Sequence, residues 1–124
     1  MHTQYLHAMN VEEVREFALS LRASTEDFPF DEHTLVMRVG GKIFAILPLE
    51  KSGRINLKCD PERSVTLREE FDAITPGYHM NKKWWNTVEF ERLPEALVKE
   101  LISHSHLLVS SSLPKKLKAE LGIE

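Results

Sequence analysis

Apolar residues recur at Val11, Val14, Phe17, Ala18 and Leu21, with Glu12, Glu13, Arg15, Glu16 and Arg22 between them. That spacing predicts a helix that lays one face on a core. Asn10 followed three residues later by Glu13 marks its start in the manner of a capping box. Phe28 to Asp31 contains Pro29, which restricts the residue before it, and reads as an aromatic-anchored connection into a first strand, Leu35 to Val39. Gly40 and Gly41 then form a two-residue turn, and Lys42 to Leu49 returns as the second arm of a hairpin, with Pro48 ending its pairing or lying at an edge.

Lys51 to Gly53 predicts a second turn. Arg54 to Cys59 alternates apolar Ile55, Leu57 and Cys59 with polar Arg54, Asn56 and Lys58, the period of a half-buried strand. Asp60 and Pro61 open a second helix, with Val65, Leu67 and Phe71 as its apolar stripe and Arg68, Glu69 and Glu70 on its wet side. Trp85 to Glu91 alternates as a fourth strand. Pro94 begins the longest helix, with Leu97, Val98, Leu101, Ile102, Leu108 and Val109 on its apolar face. Pro114 restarts a short basic helix through Lys115, Lys116, Leu117, Lys118 and Leu121, ending near Gly122.

The order helix, three strands, helix, strand, two helices gives an α+β class in two layers. An antiparallel sheet of about four strands carries helices on the face of Ile55, Leu57 and Cys59, leaving Asn56 and Lys58 on the other. The 124 residues read as one domain over 1–124, long enough to bury roughly two thirds of the unfolded chain's surface. The longest apolar run is too short to cross a membrane.

Composition narrows this further. Sixteen basic and 19 acidic residues leave a net charge of −3, so no global field draws nucleic acid and any such binding must be local. Residues 1–75 hold 9 basic and 13 acidic groups, residues 76–124 hold 7 and 6. The N-terminus lacks a basic region followed by an apolar run, and the single Cys59 has no partner for a disulfide; both point to a cytoplasmic protein. Cys59 reads as a buried small hydrophobe rather than a reactive thiol.

The densest chemistry lies in Thr75 to Thr87, TPGYHMNKKWWNT, which holds both tryptophans, a tyrosine, a histidine and two lysines. With Gly40 to Ala45, Ile55 to Pro61 and the Ser105 to Leu117 run, this segment resembles the MmcQ/YjbR family from about Val11 to Leu121. The resemblance implies a frataxin-like (CyaY-like) α+β domain, described as a double wing, with a suggested DNA-binding role and no catalytic constellation. Its motif positions here are Lys42, Phe44, Asn56, Lys58, Tyr78, His79, Lys82 and Trp85.

Lysines neutralise phosphates and aromatic faces stack on exposed bases, at about 1–3 kcal/mol per base. Tyr78, His79, Lys82, Lys83 and Trp85 offer both contacts. Arg38, Lys42, Phe44, Arg54, Asn56 and Lys58 on the open sheet face extend them into a basic platform with an aromatic centre. The plainer assignment has Trp84 filling the core, Trp85 covering the sheet edge with the lysine stems, and Glu89 and Glu91 repelling phosphate. Lys115, Lys116 and Lys118 add further phosphate contacts or form an ordinary wet face.

Other chemistries find little here. His104 and His106, two apart, point to different sides of a helix with no ligand cluster beside them, so no metal site and no cofactor is expected. Phosphate-cradling glycine motifs, a nucleophile elbow, a helix-turn-helix and a zinc-finger spacing are all absent. The sequence therefore predicts a non-enzymatic protein that binds DNA weakly and in a salt-sensitive way. The alternative is a module for a protein partner or small ligand using the same aromatic pocket, without nucleic acid or membrane contact.

Overall fold

The computed structural model of the chain describes residues 7–50, 53–77 and 80–124, and its first helix begins where the sequence pattern puts it. The Asn10 side chain accepts from the Glu13 N–H at 2.9 Å, and the Glu13 carboxylate accepts from the Asn10 N–H at 3.0 Å. This reciprocal cap satisfies donors that a helix start leaves free. Helix α1, Val11–Ser20, buries Val14 and Ala18. Lys51 and Ser52 of the expected second turn, and the first six residues of the N-terminus, lie outside the described residues.

Among the described residues six strands form one antiparallel sheet: β1 Ser24–Asp27, β2 Thr34–Val39, β3 Lys42–Pro48, β4 Arg54–Lys58, β5 Ile74–Pro76 and β6 Trp85–Glu89, in the order β1-β2-β3-β4-β6-β5. The four strands expected from the hydrophobic pattern are β2, β3, β4 and β6. The two extra ones are the edges. Strand β1 reads Ser-Thr-Glu-Asp, with no apolar residue to alternate, and β5 is three residues long and ends in a proline. Strand β6 stops at Glu89, short of the expected Glu91, because Phe90–Arg92 form a 3₁₀ turn. The Phe90 N–H donates to the Gly53 carbonyl at 2.9 Å and its ring is fully buried.

Gly40 and Gly41 have φ of 59° and 82°, the positive values that a two-residue hairpin turn needs at both positions. A Cβ on Gly40 would also stand 2.6 Å from Leu113 Cδ1. The connection into β2 corrects an expectation, since Phe28 and Phe30 are 46% and 66% exposed and anchor nothing. Asp31 holds it instead. Its carboxylate accepts from the N–H groups of His33 and Thr34 at 2.8 and 2.7 Å and from the Thr34 hydroxyl at 3.3 Å, an Asx turn. The hydrogen bond from the His33 N–H leads in pulling that carboxyl below the usual carboxylate range.

The helices α2 Pro61–Glu70, α3 Glu95–Ser111 and α4 Lys115–Leu121 join α1 on the face that carries Ile55, Leu57 and Cys59. Helix α3 lies across β3 and β4 and buries Val98, Leu101, Ile102 and Val109. Leu113, Leu117 and Leu121 bring α4 onto the same core, and Gly122 ends it in the left-handed region at φ 71°.

Two irregularities shape the middle of the sheet. Met37 pairs with Ala45 but Arg38 pairs with Ile43, so Phe44 is an extra residue in β3, a β-bulge in which two residues oppose one. Phe44 and Ala45 are therefore both fully buried, and the Phe44 ring meets His106 of α3 edge-on at 5.0 Å. Alternation counted back from buried Leu47 and Ala45 puts Phe44 on the open face; the bulge turns it into the helix layer. Beside it, β3 and β4 are paired only at Ala45 with Leu57 and Ile46 with Asn56. One step on, the Ser105 hydroxyl accepts from the Lys58 N–H at 2.8 Å and donates to the Phe44 carbonyl at 2.5 Å. A side chain from α3 thus takes the place of a direct ladder hydrogen bond.

Ser105→Ala strands the Lys58 N–H and the Phe44 carbonyl in a dry interior. Unsatisfied buried groups cost about 1–3 kcal/mol, and urea denaturation of the variant should show a loss in that range. A loss within the roughly 0.5 kcal/mol typical of neutral surface changes would contradict the bridge.

Candidate functional site

Strands β5 and β6 pair with Pro76 opposite Asn86, so the chemistry-rich segment is the hairpin loop between them. Tyr78 and His79, both expected site residues, lie outside the described residues. The rest of the loop is tightly bonded. The Gly77 N–H donates to the Trp85 carbonyl at 2.9 Å, and the N–H groups of Trp84 and Trp85 donate to the Asn81 carbonyl at 3.1 and 2.9 Å. The Asn81 carboxamide accepts from the Lys83 N–H at 3.0 Å. Glycine suits position 77 because a Cβ there would press on Trp85 Cβ and its carbonyl at 3.3 Å.

Arg68 braces this loop from α2. Its Nε donates to Asn86 Oδ1 at 2.7 Å and its Nη2 to the Lys82 carbonyl at 2.6 Å, while the buried Asn86 donates from Nδ2 to Ser64 Oγ at 3.1 Å. The hydrophobic stripe expected on α2 is thereby corrected. Val65 is exposed, Ser64 and Leu67 are buried and Arg68 is half-buried. Ser64, Leu67, Arg68 and Phe71 do share one face at spacings of three and four. Hydropathy misses the face because two of its four members are polar.

The register row Val36, Ile46, Asn56, Thr87 and Thr75 defines the open face of the sheet. Arg38, Arg54, Lys58, Trp85 and Glu89 share its parity. Phe44 does not, being under α3. Lys42 is exposed at the hairpin tip but stands opposite buried Val39, so it has the parity of the helix side. Arg38 is tied back to the edge: its Nε donates to Asp27 Oδ1 at 3.1 Å and its Nη1 to the Gly41 carbonyl at 3.1 Å. Asn56 Oδ1 accepts from the Thr87 hydroxyl at 2.7 Å.

The remaining expected residues gather at one end of this face. Lys58 Nζ stands 5.3 Å from the centre of the Trp84 ring, and Lys82 and Lys83 are exposed on the adjoining turn. Trp84 and Trp85 are both half-buried, so neither fills the core. Lys115, Lys116 and Lys118 belong to α4, in the helix layer beyond the sheet, and do not join this group. At the other end a basin of about 560 Å³ opens over Asn56, Thr75 and Thr87. Among the described residues no tryptophan, tyrosine or phenylalanine lines it, while Thr75, Met80 and Thr87 of the chemistry-rich segment do.

Polar residues in the helix layer have structural tasks. Cys59 is buried, and burial raises its thiol pKa, which disfavours the thiolate. His104 Nε2 accepts from the Asp60 N–H at 3.2 Å, and Asp60 Oδ2 accepts from the Arg63 N–H at 3.1 Å, so both cap the start of α2. Burial holds His104 below histidine's ordinary value. Arg63 pairs with Glu100, and this hydrogen bond lowers the Glu100 carboxyl. The His106 ring bonds to the Arg22 carbonyl at 2.9 Å. Among the described residues no three His, Cys, Asp or Glu side chains are grouped to hold a metal ion, and no helix is long and apolar enough to cross a membrane.

Fold and site together define a small α+β domain whose antiparallel sheet is covered on one face and carries a basic and aromatic cluster at one end of the other. The model of the YjbR family matches residues 19–108. The uncharacterized protein YbdF of Escherichia coli O157:H7 is 40% identical over 119 residues, covering 94% of this chain and 93% of its own. YyaQ of Bacillus subtilis, also uncharacterized, is 36% identical over 98 residues, covering 66% of this chain and 82% of its own. The chain belongs to the YjbR family. The crystal structure of Deinococcus radiodurans DR2400, with a DUF419 domain, superposes with a TM-score of 0.87 at 37% identity, over 94% of this chain and 91% of that one.

Two outcomes follow from this geometry. Arg68→Met removes charge-assisted hydrogen bonds of a kind worth about 1.5–3 kcal/mol each, so amide exchange at Trp84 and Trp85 should quicken by at least about tenfold; unchanged exchange would show that the brace is idle. His104 acts as an acceptor only when neutral, and its folded pKa is depressed. Its contribution is therefore complete above the unfolded value of about 6.5 and lost as pH falls through the folded one. The urea midpoint should drop between about pH 7.5 and 5.5, above the carboxylate titrations, and drop less in His104→Gln. Equal drops would contradict this role.

Proposed function

We propose that the protein is a non-enzymatic binding domain that contacts nucleic acid weakly, single strands in preference, through the Lys58, Lys82, Lys83, Trp84 and Trp85 end of its open face. The observation that carries this reading is the Lys58 ammonium 5.3 Å over the Trp84 ring beside two exposed lysines. It joins phosphate-neutralising charge to a stacking surface, the two contacts that sequence-tolerant strand binding uses. No helix of a type that reads the major groove is part of this surface, so contact rests on backbone and base faces.

Glu89, expected to repel phosphate, is distant. Trp85 and Glu89 stand at opposite ends of β6, four residues and about 13 Å apart at strand rise. That exceeds the screening length of about 8 Å at physiological salt. Glu89 Oε2 is also engaged by Arg92 at 3.2 Å. Three lysines set the scale of affinity: displacing their counterions from a single strand gives a salt slope near about −2.

Titration of tryptophan fluorescence with a thymidine oligonucleotide tests the reading directly. At low salt the emission should quench or shift saturably, and Lys82→Glu with Lys83→Glu should weaken binding and bring the slope to about −1 or shallower. No spectral change with single- or double-stranded DNA at low salt would overturn it.

A further inference from the structure

The basin at the other end of the open face has a charge pattern of its own. Its floor offers donors. Arg54 stands directly across from Glu89 in the β4–β6 register, yet Glu89 turns to Arg92, and Arg54 has no hydrogen-bond or ion-pair partner among the described residues. Next to it, Asn56 lines the basin and spends its Oδ1 on the Thr87 hydroxyl, which leaves its Nδ2 hydrogens without a partner among the described residues. A free guanidinium and a free amide side by side form a receptor for a carboxylate or another compact anion.

The rim has the opposite character. Asp31 and Glu50 line the side nearest β2 and β3. Asp31 is kept ionised by its own turn, and Glu50 Oε1 lies 3.2 Å from His33 Nδ1. With Glu89 also in the lining, three carboxylates face one arginine. A simple anion would be drawn by Arg54 and repelled by the rest; a simple cation would meet Arg54 unsatisfied. Arg54 and Asn56 lie on β4, with Glu50 just past β3 one strand away and Asp31 just before β2 two strands away, about 5 and 10 Å at ordinary strand spacing. The volume of about 560 Å³ falls within the range of small-molecule sites.

We infer that this basin binds a small zwitterion of amino-acid to dipeptide size, its carboxylate on Arg54 and Asn56 and its ammonium toward Asp31 and Glu50. The hydroxyls of Thr34, Thr75 and Thr87 supply hydrogen bonds to the polar body between, and Met80 and Pro48 give it apolar contact. The site is distinct from the Lys58–Trp84 patch and uses none of its residues.

Backbone amide shifts of the full chain, recorded with a panel of free amino acids and unblocked dipeptides at millimolar concentration, provide the test. At least one member should shift Asn56, Thr75 and Thr87 saturably. Its N-acetyl and C-terminal amide derivatives, each lacking one charge, should bind at least about tenfold more weakly, or about 1.4 kcal/mol. Arg54→Ala, an exposed change that leaves the core intact, should abolish the shifts, and Arg54→Lys should restore part of them. No saturable shift across the panel, equal binding by a blocked derivative, or full binding to Arg54→Ala would each overturn the inference.

Discussion

The hydroxyl of Ser105 decides how the two layers of this protein fit together. Backbone donors and acceptors in a dry interior must be paired, and where β3 and β4 part after Ala45 and Leu57 neither the Phe44 carbonyl nor the Lys58 N–H has a strand partner. Ser105 meets both, which pins the middle of α3 to the centre of the sheet. The bulge at Phe44 belongs to the same solution, since it turns that ring under α3 against His106. Lys58, whose backbone is held by the serine, then presents its side chain from a fixed strand end to the Trp84 ring.

From that point the open face divides into two zones. One end is basic and aromatic, with its loop braced by Arg68, Asn86 and Ser64. The other is a polar basin in which donors sit on the floor and carboxylates on the rim. Glu89, the basin's carboxylate on β6, stands four residues from Trp85, enough for salt to screen it from the patch. A protein with a net negative charge can thus present a local basic patch, because the acidic groups of the basin are engaged at the far end by Arg92, His33 and the Asp31 turn.

Much of the architecture was legible in the sequence. The capping box at Asn10 and Glu13, the glycine hairpin, the alternating Arg54 to Cys59 strand and the start of α2 at Asp60 are local signals, and local chemistry fixes them. The edge strands were not legible, because Ser24–Asp27 and Ile74–Pro76 are strands only by virtue of their neighbours. Phe44 was assigned to the wrong face for a similar reason: a bulge is a property of two strands, and alternation along one cannot reveal it. Arg68 and Asn86 escaped notice because a polar side chain that supports a loop looks, in sequence, like one that faces water. The motif Thr75 to Thr87 pointed to the family, yet nothing in it shows that Trp84 and Trp85 stay out of the basin that Thr75, Met80 and Thr87 line.

We propose the Lys58–Trp84 end of the sheet as the surface that meets nucleic acid. Backbone amide mapping of the full chain with a short thymidine oligonucleotide at low salt tests it most directly, residue by residue. Saturable shifts should be confined to Lys58 and the Lys82–Trp85 turn and fade as salt rises. Shifts centred on Lys115 to Lys118 of α4, or none on the open face, would contradict it.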